Sequence, residues 1–245
     1  MRFKSEAALV QHVTEQLGAL FPRADHVEGE VPSHLGIADL VLARTHACRL
    51  ARRSSSRLNA VLSPGAAQLL SACGQGGDEV TLFAAAGLER SFGRRLIREL
   101  AGSGHLLAAV HGWRPAPGLV DPYDELVAIE AKLEDWRRAE AQAARYRTYA
   151  DASYVVLPVE RITPTVREFF ARGPVGLLGA GDHVEMVVQA RVSSPLEPWR
   201  RLLVAEVLTA RLSNPGTHRA TLGTSASRYP RSGQVPSVQA QPSLG

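Results

Sequence analysis

The sequence predicts an α/β core interrupted by a small inserted helical domain, and three observations carry this. Short apolar runs of strand length alternate with helical periodicity over residues 1–42 and again over 121–213. Between them, residues 43–120 change character, with ten arginines against four acids and glycine and serine clusters between short helical segments. The composition, 45% hydrophobic and 21% charged over 245 residues, is ordinary globular composition, enough for one large domain or two small ones.

The first segment reads as a helix opened by Ser5, with Val10, Val13, Leu17 and Leu20 sharing one face and Phe21-Pro22 ending it. Glu6 lies one turn before Val10, in phase with that stripe, whereas Glu15 falls nearly opposite. A strand is expected over 26–31, followed by a Pro-Ser-His turn. A second strand covers 36–42 and is apolar except for Asp39.

After Arg44, four arginines (49, 52, 53 and 57) and three serines read as a connection. Ser63-Pro64-Gly65 caps a helix running through Leu70, and Gly74-Gln75-Gly76-Gly77 breaks the chain. Thr81 to Ala86 makes a second short helix and Gly87 a tight turn. Ser91 to Leu100 is a third helix with Ser91 as N-cap. Leu106 to Val110, a His111-Gly112-Trp113 turn and Arg114 complete a hairpin. Helix, helix, turn, helix, hairpin resembles a winged helix-turn-helix over roughly residues 58–118. A structureless connection of this length would argue against the core assignment, but a folded insertion does not.

From Asp121 the α/β pattern resumes. A strand over 125–133 leads to a helix over about 135–150 and a strand over 152–157. A helix over 163–172, weaker strands at 175–178 and 183–191, and a closing helix over 197–212 follow. Residues 214–245 are rich in Ser, Pro, Gly, Gln, Thr and Arg without periodicity and read as a disordered tail.

Charge distribution narrows the function classes. The middle block has an excess of six positive charges and the tail an excess of three, inside a remainder with fifteen basic and twenty acidic residues. A basic middle in an acidic frame points to a polyanion partner, although arginine-rich usage from a GC-rich genome produces some of the same excess. No run approaches a membrane span, and the N-terminus leads into an amphipathic pattern rather than an apolar signal core. Cys48 and Cys73 lack metal-site spacing and are too few for a disulfide framework, so the expected setting is cytoplasmic. The eight histidines show no zinc spacing, and no nucleophile elbow, P-loop or dinucleotide glycine motif occurs.

Only two of the twenty-eight basic residues are lysines, Lys4 and Lys132. Lys132 follows Glu130-Ala131 in an apolar run where a strand would bury it, and an ammonium is a compact point charge that a guanidinium does not replace. Glu130 and Lys132, two apart on a strand, share one face. The Ala131 carbonyl lies between them, and Asp39 supplies a second carboxylate if its strand lies alongside. Carboxylates suit hard cations such as Mg²⁺, and phosphodiester hydrolysis needs a positioned water, a polarised phosphate and a nearby cation.

Helix, strand, strand with Asp39, strand with Glu130-Ala131-Lys132, helix and strand resembles the PD-(D/E)xK nuclease superfamily. Gln142-Ala143-Ala144-Arg145-Tyr146 is similar to the Gln-hydrophobic-x-x-Tyr motif of its RecB-like members. The resemblance implies a restriction-endonuclease-like αβββαβ core with the winged helix inserted between its second and third strands. It further implies Asp39, Glu130, the Ala131 carbonyl and Glu6 as ligands of Mg²⁺ or Mn²⁺, with Lys132 assisting the attacking water and Gln142 and Tyr146 contacting substrate or metal-bound phosphate. Ala38 stands where the family name has proline, and the separation of Asp39 from Glu130 is long. The expected partner is DNA, held by Arg90, Arg94, Arg95 and Arg98 on the third inserted helix and by Arg114 on the hairpin; a second copy of the chain is a further option.

Each residue also has an ordinary reading. Asp39 can be satisfied by turn amides, Tyr146 can fill a core, and Glu6 can complement a helix dipole. The insertion can bind protein instead of DNA. The expectation is therefore a metal-dependent DNA nuclease, with a non-cleaving DNA-binding regulator as the alternative and a protein-interaction scaffold as the third class.

Overall fold

The computed structural model describes residues 3–73, 78–110 and 112–213. The glycine break at 74–77, His111 of the hairpin turn and the 214–245 tail therefore lie outside the described residues. The fold is mixed α/β, built on a six-stranded sheet.

Helix α1 (Glu6–Thr14) starts where Ser5 Oγ accepts the Ala8 N–H at 3.2 Å. The expected single helix through Leu20 is in fact two: the chain breaks at Glu15-Gln16 and resumes as α2 (Leu17–Leu20). At the break the Gln16 carboxamide oxygen accepts the Val184 N–H at 2.9 Å, tying the turn to the far side of the sheet. Strands β1 (His26–Ser33) and β2 (Gly36–Thr45) form an antiparallel hairpin longer than its apolar runs suggested. Pro32 is tolerated in β1 because that strand is at the sheet edge.

The arginine-rich stretch after β2 is a helix, not a connection. Helix α3 (Ala47–Ser55) has Arg52 and Arg53 in its last turn, where they complement the helix dipole. It lacks apolar periodicity because its inward residue is Arg53, buried against Glu206. Helices α4 (Pro64–Cys73), α5 (Glu79–Ala86) and α6 (Arg90–Gly102) then precede a hairpin of β3 (Leu106–Ala109) and β4 (Gly112–Pro115). Gly87 adopts φ +63 in the turn after α5, the left-handed region that suits glycine. The N-cap of α6 is Glu89 rather than Ser91: its carboxylate accepts the Ser91 and Phe92 N–H groups. At Gly93 an added Cβ would lie 2.4 Å from the Phe83 ring, so α5 and α6 approach closely only because that residue has no side chain.

Strand β5 (Tyr123–Ala131), α7 (Trp136–Tyr146) and β6 (Ala152–Pro158) follow, with α7 ending four residues earlier than its periodicity implied. Helix α8 (Pro164–Arg172), β7 (Gly176–Ala180), β8 (Val184–Val188) and α9 (Pro198–Ser213) complete the described chain. The sheet order is β1-β2-β5-β6-β7-β8, with β5-β6 and β6-β7 parallel and the other pairs antiparallel. Among the described residues, none of those between β2 and β5 contributes a strand to it.

Alternation in the strands builds two cores. Leu126 and Ala128 of β5 and Val41 and Ala43 of β2 pack beneath α7, α8 and α9, while Val127, Ile129 and Leu40 pack against α1 and α2. A third core unites α4, α5, α6 and the hairpin, and it includes Leu203 of α9. Helix α9 thus belongs to both halves. Its Arg211 also covers the edge strand, donating to Glu28 at 2.9 Å and to the Gly29 carbonyl at 2.8 Å.

Candidate functional site

Strands β2 and β5 run antiparallel, and their ladder pairs Leu40 with Ile129. One step further along, Asp39 and Glu130 come opposite each other on the face beneath α7. There the backbone ladder gives way to a side chain: Asp39 Oδ2 accepts the Ala131 N–H at 2.7 Å. On the other side the strand is held in place, because the Lys132 N–H donates to the Val156 carbonyl of β6 at 3.1 Å. Ladder and crossover together bring residues 92 positions apart into direct contact.

Lys132 is the centre of the group. Its ammonium donates to Glu130 Oε1 at 3.0 Å, to Glu6 Oε2 at 3.1 Å and to the Ala131 carbonyl at 3.1 Å. An ammonium has three N–H donors, and all three are used. Glu130 is buried, Lys132 largely so, and Glu6 at the start of α1 is half exposed at the rim. The second Glu130 oxygen accepts the Tyr146 hydroxyl at 2.6 Å, with the Ile37 carbonyl a competing acceptor at 2.9 Å. The shorter, charge-assisted bond is the stronger.

The electrostatics follow from three carboxylates around one ammonium. Burial, then the neighbouring Glu130, push the Asp39 carboxyl up to about 6, with the Ala131 N–H and Lys132 opposing and Glu6 adding to the rise. Burial disfavours the Lys132 ammonium, but the hydrogen bond and charge of Glu130, with Asp39 and Glu6, hold its pKa above the usual value. Lys132 therefore stays protonated at neutral pH; it can position or stabilise charge, but it is not a base that removes a proton from water. Burial, with Glu130 beside it, also holds the Tyr146 hydroxyl protonated.

Among the described residues no group of three or more His, Cys, Asp or Glu side chains is gathered as a ready metal site. The donor set nevertheless suits a hard cation. The Lys132 ammonium is itself a stand-in ion, and the oxygens around it come from Glu130, Glu6 and Ala131. Mg²⁺ commonly takes one or two carboxylates and completes its shell with water.

Glu6, Asp39, Glu130, Ala131, Lys132 and Tyr146 are linked by these contacts, and Gln142 has no hydrogen bond to them. Gln142, one turn before Tyr146 on α7, points its carboxamide oxygen inward, where no described residue donates to it. The arginines lie elsewhere. Arg90, Arg94, Arg95 and Arg98 are exposed on α6, and Arg114 is exposed on β4. At 100° per residue, Arg90, Arg94 and Arg98 form a stripe that flanks the buried face of Gly93, Leu96, Ile97 and Leu100. Arg94 is held by Glu79 at 3.1 Å, while Arg95 lies 3.7 Å from Glu99 and over the Phe92 ring.

Sequence reasoning missed two buried residues, one beside the group and one away from it. Tyr149, fully buried, has its ring centroid 5.8 Å from that of Tyr146, with the two rings tilted at 45°. Glu206 joins α9 to α3 through Arg53. The available signal for the latter was a lone acid inside the apolar run Leu202 to Leu208.

Comparison of the chain with protein-family models, with curated proteins and with solved structures returns no match. Among the described residues no helix is long and apolar enough to cross a membrane.

Proposed function

We propose that this chain is a divalent-metal-dependent DNA nuclease of the PD-(D/E)xK type. In this reading the core is restriction-endonuclease-like, and the inserted segment, winged helix-turn-helix-like over roughly residues 58–118, docks it on duplex DNA. The observation that carries the reading is the convergence of Glu130, Glu6 and the Ala131 carbonyl on the Lys132 ammonium, with Asp39 bonded to the Ala131 N–H beside them, at one end of two adjacent strands. The order α1, β1, β2, β5, α7, β6 supports it, as does the tyrosine of α7 bonded to the strand glutamate.

Asp39, Glu130 and Glu6 would hold Mg²⁺ or Mn²⁺ together with the Ala131 carbonyl. A bound cation supplies Lewis-acid polarisation of the phosphodiester and a lowered pKa for a coordinated water. The protein's own groups do the rest. The Lys132 ammonium places a positive charge beside the phosphate as negative charge builds on it. Tyr146 fixes one Glu130 oxygen, so the carboxylate cannot rotate. The unpaired Gln142 oxygen can accept from a water on the substrate phosphate. The α6 stripe and Arg114 present guanidinium groups to phosphates and guanine edges.

A second reading is a DNA-binding protein that does not cut. It is favoured by the engagement of both Glu130 oxygens by protein donors and by the lack of a gathered ligand trio. Incubation with supercoiled, linear and single-stranded DNA across Mg²⁺ and Mn²⁺ concentrations separates the two. Metal-dependent cleavage that disappears in both Glu130→Ala and Lys132→Ala supports the nuclease. Duplex binding without metal and without cleavage supports the regulator, and cleavage that survives both substitutions rejects this site.

A further inference from the structure

The arrangement around Lys132 has a feature that a simple catalytic lysine does not require. Two of its three partners are the Glu130 and Glu6 carboxylates, and the third is the Ala131 carbonyl. Those are the oxygens that the nuclease reading assigns to the cation. The ammonium does not lie beside the cation position; it satisfies the same oxygens. The lysine stem is also placed for this, because its backbone N–H is anchored to Val156 and its side chain folds back over its own neighbouring carbonyl.

We propose that Lys132 is a resident counter-ion for the cation position, so that entry of a divalent ion displaces its ammonium from Glu130, Glu6 and the Ala131 carbonyl toward the substrate side. The inference rests on the metal-binding part of the proposed function. Physically it is a competition. Without a cation, three carboxylates at one strand end would repel one another, and the ammonium neutralises part of that charge at the cost of its own desolvation. A divalent ion offers more charge to the same oxygens and releases the ammonium. A freed ammonium is then positioned for phosphate only when metal is present, which couples charge stabilisation to metal loading.

Competition has a measurable consequence for affinity. If the oxygens are free of Lys132 about one-tenth of the time, the apparent cation affinity is reduced about tenfold, the inverse of the competent fraction. The chain's composition supplies the probe for the displacement itself. Lys4 and Lys132 are its only lysines, and Lys4 is exposed. Acetylation of the intact protein with an N-hydroxysuccinimide ester at constant pH, read by peptide mass spectrometry, reports Lys132 against Lys4 as internal standard. Mg²⁺ or Mn²⁺ is the added ligand, and calorimetry on the same samples measures binding.

The expected result is a rise of about tenfold in the Lys132-to-Lys4 rate ratio on saturation, with Lys132→Met binding the cation about tenfold more tightly than the wild type. Calorimetric binding by Lys132→Met but not by the wild type would overturn displacement, because the ammonium then holds the oxygens against the cation. Saturable binding to the wild type with an unchanged or lowered ratio overturns displacement while leaving the metal site intact. That outcome also separates occupancy from general electrostatics, because removing a positive charge tightens cation binding without moving a lysine. If neither protein binds a cation, both this inference and the metal-dependent reading fall.

Discussion

The ion pair between Arg53 and Glu206 is the joint between the two halves of the chain, and its removal should be the most destabilising single change outside the candidate site. Arg53 is 3% and Glu206 0% exposed. The pair is bidentate, with Arg53 Nε to Oε1 at 2.8 Å and Nη2 to Oε2 at 2.7 Å. Oε2 also accepts the Val61 N–H at 2.9 Å, and Arg53 donates to the Leu58 and Asn59 carbonyls at 3.0 and 3.1 Å. One carboxylate therefore organises α3, the segment leading to α4, and α9.

Glu206→Ala strands a guanidinium in a dry site, a change that costs about 3–5 kcal/mol, and the orphaned Val61 N–H overlaps with that figure rather than adding to it. For a chain of this size the corresponding fall in Tm is roughly 6–20 °C. The double variant Arg53→Met with Glu206→Leu should recover much of the loss, because it removes both buried charges and leaves apolar side chains of related volume. Urea and thermal unfolding followed by circular dichroism, with tryptophan fluorescence from Trp113 and Trp199 packed against the third core, provide the measurement. A loss below about 1 kcal/mol for Glu206→Ala, the range of a solvated surface pair, would refute the claim that the joint is dry.

Three further outcomes follow from the site and its surroundings. Asp39 holds its proton up to about 6, above the usual 3.8; the folded state binds that proton more tightly than the unfolded chain, so stability falls as pH rises through this interval. Asp39→Asn should therefore raise Tm at about pH 8 and leave it unchanged near pH 3, and wild-type cation affinity should weaken toward tenfold per unit below about pH 6, both measurable by pH-resolved thermal shift and calorimetry. Tyr146→Phe removes the hydroxyl that holds Glu130, and should lower cation affinity or cleavage by about 10–100-fold with a stability loss of about 1.5–3 kcal/mol; unchanged affinity would make the tyrosine a core residue only. Replacing Arg94 and Arg95 together by alanine should weaken duplex binding and flatten the salt slope by roughly one to two, which titration from low to moderate salt will test.

The elements of the core were legible because period and capping are local. Ser5 caps the first helix where its hydroxyl predicted, and the strands around Asp39 and Glu130 declared themselves by apolar runs. Legibility failed where a distant partner decides the local form. Helix α3 has no apolar stripe because its inward residue is an arginine whose partner lies 153 positions away. The first helix divides at Gln16 because a side chain there serves β8. Ser91 looked like a cap, but Glu89 two residues earlier reaches the same N–H groups.

For the site, the sequence by itself determined the residue types and their faces. Two-residue periodicity puts Glu130 and Lys132 on one side of a strand, and four-residue helical spacing aligns Gln142 with Tyr146. Only the tertiary structure decided that β2 lies beside β5 in the register that sets Asp39 opposite Glu130, and that Glu6 from the far face reaches over the sheet end to the same ammonium. The reason is that register and strand adjacency are set by burial on both faces and by backbone pairing over long separations. The protonation states are decided there as well, since a raised Asp39 and a stabilised Lys132 exist only once three carboxylates and one ammonium share a site that water has partly left.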